Sequence, residues 1–229
     1  MTQTIDIDNL HSLCSTPVRK DRITYILYPM DTLSGWIETA AQKYDTTIVV
    51  ITDMDWQNVF SPWPAPGVPK GTPDFKGESP EFLKLLPEKV IPQIETTLGM
   101  DKDVERSLVG VSMSGLFALW QWMVCDEFTN IASLSGSFWY EGFVDWIKGI
   151  SIPAKTGKGY FLLGNQEPKS KVKAFSSVGV DTQEIISLLR NSGIAVEFQS
   201  VPGNHYSDPI PRLENAFSAL FTSTPTKQP

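Results

Sequence analysis

Six short apolar, β-branched runs, spaced so that a helix fits between most neighbours, constrain this chain more than any other feature. They are residues 23–28 (ITYILY), 47–51 (TIVVI), 107–111 (SLVGV), 131–134 (IASL), 160–163 (YFLL) and 196–201 (VEFQSV). Several are apolar at consecutive positions instead of alternating, the pattern of strands covered on both faces. Residues 114–125 (SGLFALWQWMVC) are apolar nearly all round, as in a deeply buried helix. Residues 181–191 (DTQEIISLLRN) open on Asp181 as a candidate cap, with Glu184 three positions on and Gly193 near a stop. Residues 212–221 give a last amphipathic helix. Strand alternating with helix implies a mostly parallel sheet with helices on both faces. Ligands of such sheets bind in the crevice beyond the carboxyl ends of the strands.

No repeat or linker interrupts the pattern, so residues 1–229 are expected to form one domain. Within it, 1–20 should be irregular or an edge strand, and 223–229 a frayed tail. Residues 56–80 stand apart, being rich in Pro and Gly. Long irregular stretches of that kind more often serve function than not.

Composition narrows the functional classes. The formal net charge is −7 and no Lys/Arg-rich run reverses it locally, which argues against nucleic-acid or anionic-membrane partners. The start, MTQTIDIDNLHSLC, lacks a basic segment followed by an apolar one, so no secretory leader is expected and a cytoplasmic location is. Two cysteines, Cys14 and Cys125, are too few for a disulfide framework or a thiolate zinc site. With only His11 and His205, a three-histidine zinc centre is excluded, and acid–base work near neutral pH falls to one of these two. No metal or other cofactor is expected.

The segment Gly110-Val111-Ser112-Met113-Ser114-Gly115 joins the end of an expected strand to the start of an expected helix. A strained strand–turn–helix elbow exposes its serine above the sheet edge, and crowding there demands small residues two before and two after it. Gly110 and Ser114 meet that demand around Ser112, whereas Ser114 as nucleophile would place Leu116 in the turn. Small-x-Ser-x-small also arises by chance about once in an ordinary chain. Ser133-Leu134-Ser135-Gly136-Ser137 is such a second match.

His205, in VPGNHY, follows the last expected strand, and Glu167, in GNQEPK, follows YFLL. Taken singly, these read as a loop histidine and a solvated charge. Together with Ser112 they stand in the chain order serine–acid–histidine of α/β-hydrolases, each just after its own strand. Parallel strands bring three such loops to one edge. His205 is then the general base and acid for Ser112, and Glu167 orients the imidazole. Asp208 is the rival acid, better suited to capping the final helix. The oxyanion hole is expected to use the backbone N–H of Met113 and a second donor at Met30 or Asp31, in the loop after ITYILY.

These residues resemble the putative esterase group of α/β-hydrolases, which includes esterase D-like and enterochelin esterase-like enzymes. The resemblance runs from about Ile23 to Phe221 and rests on FSPWPAP, GVSMSGLFAL, LSGSFWY, LLGNQEPK and PGNHYSDPIPRLENAF in this order and spacing. It implies the α/β-hydrolase fold, hydrolysis of a small-molecule carboxylic ester, and the triad Ser112, Glu167 and His205. Known members act on siderophore lactones, aryl esters or thioester-like substrates. Two departures stand out. Ser114 replaces the usual elbow glycine, and the chain before Ile23 is short for the edge hairpin of such proteins, a shortened edge that favours self-association. A non-catalytic binding module and an acyltransferase are the alternative readings. Among the aromatics, Trp63, Trp139 and Tyr140 are candidates for the substrate pocket, with Trp36 and Trp56 nearby, and core packing is the competing role of each. Asp53 and Asp55 read as a turn, Gly157-Lys158-Gly159 as a turn before a strand, and His11 as a strand-edge residue.

Overall fold

The consecutive apolar runs become strands of one eight-stranded sheet in the order β1-β2-β4-β3-β5-β6-β7-β8 in a computed structural model, which describes residues 2–29 and 32–222. The core strands are β3 (Arg22–Leu27), β4 (Thr47–Thr52), β5 (Glu105–Val111), β6 (Asn130–Leu134), β7 (Lys158–Gly164) and β8 (Ala195–Val201), all mutually parallel. Their apolar side chains go alternately to two cores. Tyr25, Leu27, Val49, Ile51 and Leu108 pack on one side, and Ile26, Ile48, Val50 and Val109 on the other. Period-2 geometry on a strand buried on both faces thus explains why ITYILY and TIVVI carry no polar alternation.

The short edge takes a regular form. β1 (Gln3–Ile7) and β2 (Leu10–Cys14) make an antiparallel hairpin, and β2 pairs antiparallel with β4. Asp8, at φ 53°, turns the chain between them. β1 is the outermost strand, exposed at Gln3, Thr4 and Asp6.

One helical layer holds α1 (Ser34–Tyr44) and α9 (Pro209–Phe221). The other holds α2 (Trp56–Val59), α3 (Ser79–Leu85), α4 (Ile91–Leu98), α5 (Met113–Val124), α6 (Phe143–Gly149) and α8 (Val178–Asn191), with the short α7 (Lys173–Ser176) lying against α8. A π-helical turn (Leu86–Val90) joins α3 to α4, where Pro87 and Pro92 lack the N–H groups a continuous α-helix needs. The strongly apolar α5 is buried along almost its whole length, as its composition requires. Asp181 does not cap its helix. α8 starts three residues earlier, at Val178, and Asp181 accepts a hydrogen bond from Ser177 Oγ within the first turn. Asp208 does cap α9, accepting from the Ile210 N–H. The expected tail 223–229 lies outside the described residues. Among the described residues, no helix is long and apolar enough to cross a membrane.

Candidate active site

Ser112 sits between β5 and α5 at φ 58° and ψ −120°, a conformation strained for a residue with a side chain. The elbow holds because its surroundings leave no alternative. A Cβ on Gly110 would stand 2.1 Å from the Ser114 carbonyl oxygen, so only glycine fits there. Ser114 is accommodated, with its hydroxyl fully enclosed. Val111 N–H donates to Ser114 Oγ at 2.8 Å, and Leu27 O, at the end of β3, accepts from it at 2.9 Å. The serine that departs from the usual glycine therefore ties the elbow to the neighbouring strand.

β7 and β8 are adjacent, and the loops that follow them are laced together. Asn165 N–H donates to Val201 O at 2.8 Å and Gln166 N–H to Gly203 O at 2.9 Å. Gly203, at φ 113°, makes the turn that presents His205. Across this lacing, His205 Nε2 lies 3.0 Å from Ser112 Oγ, and His205 Nδ1 lies 2.9 Å from Glu167 Oε2. An ionised carboxylate can only accept, so Nδ1 carries the hydrogen and Nε2 accepts from the serine hydroxyl. That is the protonation state a general base needs.

Glu167 is the least accessible member, with a side chain 4% exposed against 34% for His205, so its charge must be satisfied inside the protein. Its Oε1 accepts from Ser135 Oγ at 2.7 Å, from Gly164 N–H at 2.8 Å and from Arg212 Nη1 at 3.3 Å. Burial pushes this carboxyl's pKa up. The hydrogen bonds from His205, Ser135 and Gly164 outweigh that effect and hold it below the usual glutamate value. Arg212 also donates to Ser135 Oγ and to the backbone carbonyl of Asn204, and so joins the acid to the histidine loop.

Three supporting residues escaped the sequence reading. Ser135, at φ 51°, belongs to the second small-x-Ser-x-small match, which proves to be a tight turn after β6 aimed at the acid. Ser137 Oγ lies 3.4 Å from Ser112 Oγ. Arg212 looks in sequence like any helix-surface cation, and only its burial distinguishes it.

A cleft of about 400 Å³ opens on the row, bounded by Ser112, His205, Trp139, Phe175, Lys169 and Tyr206 among others. Of the aromatic candidates, Trp139 alone lines it. Trp63 does not: its indole N–H donates to Glu141 O at 2.9 Å and its ring packs against Phe143 and Trp146. Tyr140 is buried instead, donating to the Trp63 carbonyl, because the two residues clamp the Pro-rich loop to the start of α6. Trp36 donates to Glu214 and Trp56 packs on Phe60, both structural roles. Met113 is the first residue of α5, where a helix leaves its N–H without an intrahelical acceptor. Met30 and Asp31 lie outside the described residues. His11 pairs with Asp6 on the edge hairpin, far in the sheet order from β8. Asp55 accepts from the Asn58 side chain at the start of α2. Among the described residues no cluster of His, Cys, Asp or Glu has the makings of a metal site.

Comparison with known proteins agrees with this architecture. The family described as Putative esterase matches residues 27–206. A curated relative, the uncharacterized protein YbbA of Bacillus subtilis (strain 168), is 25% identical over 162 residues, covering 69% of this chain. The match spans 65% of that relative, just under two thirds of its length. Among solved structures, an IroE-like serine hydrolase from Shewanella oneidensis superposes with a TM-score of 0.77 at 18% identity, over 96% of this chain and 79% of that one. The siderophore hydrolase EstB from Aspergillus nidulans gives 0.73 at 17% identity, over 99% and 97%.

Proposed function

Because the chain belongs to the putative esterase family, we propose that it hydrolyses a carboxylic ester through an acyl-enzyme on Ser112. The observation that carries this reading is the unbroken row from Ser112 Oγ through both imidazole nitrogens of His205 to Glu167 Oε2, with links of 3.0 and 2.9 Å.

His205 Nε2 takes the hydroxyl proton as Ser112 Oγ attacks the ester carbonyl. The carbonyl π-electrons move onto oxygen, and the oxyanion lies at the N-terminus of α5, where the Met113 N–H is a donor. The tetrahedral intermediate collapses, the bond to the alcohol oxygen breaks, and His205 returns the proton to that oxygen. Water, deprotonated by the same nitrogen, then attacks the acyl-enzyme and releases the acid and Ser112. Glu167 balances the charge of the imidazolium throughout.

The fold neighbours that act on siderophores make esters of that class natural substrates to screen. Ser114, fitted and bonded, does not weigh against catalysis. The test is turnover of p-nitrophenyl butyrate. Ser112→Ala should lower kcat by roughly 10⁴–10⁶-fold while the variant keeps the wild-type melting profile. Turnover at the wild-type rate in that variant would remove the proposal.

A further inference from the structure

A second pocket, of about 220 Å³, adjoins the catalytic cleft, and Trp139 lines both. Its other walls include Ala65, Val68, Phe75, Ala174 and Tyr140, so it is largely apolar, and Tyr140, absent from the cleft, returns here as a lining residue; the charged lining residue, Glu141, is exposed. The Trp139 ring touches an aromatic of each space, Phe175 of the cleft at 4.7 Å between centroids and Phe75 of the second cavity at 6.3 Å. One indole therefore forms the partition between the two.

The partition is lightly held. Trp139 is only half-buried, and α7, which lends Phe175 to one cavity and Ala174 to the other, has no buried residue. Segments with few buried contacts open locally at low cost. The Pro-rich loop forms another wall, where Ala65 and Phe75 are fixed by a two-bond backbone bridge, so that side of the pocket is held in shape.

Catalytic geometry decides which part of a substrate faces this space. The leaving alcohol oxygen must lie within reach of His205 Nε2 to receive its proton, which puts the alcohol portion against His205 and Tyr206. The acyl portion is left with the wall His205 does not occupy, the segment from Ser137, beside Ser112 Oγ, to Trp139. We infer that the second cavity is an acyl subsite that receives the distal apolar part of a medium-length acyl group, with Trp139 as the residue that sets how far that group extends. The inference rests on the esterase reading above.

The experiment measures kcat/KM for p-nitrophenyl esters from acetate to decanoate, with fluorophosphonate labelling of Ser112 in the same preparations. In the wild type kcat/KM should rise about fourfold per methylene once the chain reaches past Trp139, the yield expected for burying each one. Ala174→Phe and, from the opposite wall, Val68→Phe fill the cavity and should flatten that rise, lowering the octanoate-to-butyrate ratio at least tenfold. Trp139→Ala removes the partition and should move the onset of the rise to shorter chains. Labelling at Ser112 with no rise in the wild type, or with the rise unchanged in both filling variants, overturns the subsite and leaves the esterase reading intact. Absence of labelling in the folded wild type removes the esterase reading itself, and the subsite with it.

Discussion

At the scale of single residues, the site depends on a buried negative charge. Glu167 is held ionised by hydrogen bonds from His205, Ser135 and Gly164, and its folded pKa is depressed below the ordinary glutamate value of 4.5. A carboxyl shifted in that direction contributes stability in full above its unfolded pKa and loses it as pH falls through the folded value. Wild-type protein should therefore lose more melting temperature than Glu167→Gln on titration from about pH 5 to pH 3. Parallel melting curves for the two would contradict the assignment. Arg212 is a positioning residue, since it touches the acid and the histidine loop but not the cleft. Arg212→Met strips one partner from a buried ion pair, a change that typically costs about 3 kcal/mol or more. It should lower kcat about tenfold with little change in KM, as expected when an interaction made in the transition state is weakened. Arg212→Lys should recover part of the loss, and a pure KM effect would refute a positioning role. Neither Ser135 nor Arg212 was legible in the sequence. Their partners come from three separate segments, and nothing in a charge at residue 212 shows that it points inward.

At the scale of elements, the elbow is the structure most specified by its residues. Gly110→Ala would drive a methyl carbon to 2.1 Å from backbone, which no side-chain rotation relieves, and should abolish soluble folded protein. Ser114→Gly is the informative contrast. It restores the usual elbow residue, keeps the turn, and gives up the bonds to Leu27 O and Val111 N–H. We expect near wild-type kcat and a stability loss of about 1 kcal/mol by urea denaturation. β3, β4, β6 and β7 were readable because burial on both faces leaves an apolar run, whereas β8, an edge strand, shows itself by alternation. At the other end of the sheet, the expectation for residues 1–20 left irregular chain and edge strand open, and the edge strand is what forms, because QTIDI alternates and turns only Ile5 and Ile7 inward. The aromatic candidates divided for a related reason. Sequence marks which large rings are near the active edge, but not which hydrogen bonds turn Trp63 and Tyr140 toward each other and leave Trp139 facing the cleft.

At the scale of the molecule, five of the strand-to-strand steps across the sheet are parallel, from β4 through β8, and that topology does the assembling. It brings residues 112, 167 and 205 to one edge although 93 positions separate the serine from the histidine. This delivery should activate one serine out of the many in the chain. Reaction with a fluorophosphonate followed by mass mapping of the adduct tests it directly. One stoichiometric adduct is expected, on Ser112, and it should be lost in His205→Ala. An adduct on another serine, or one on Ser112 that forms as fast without the imidazole, would contradict it.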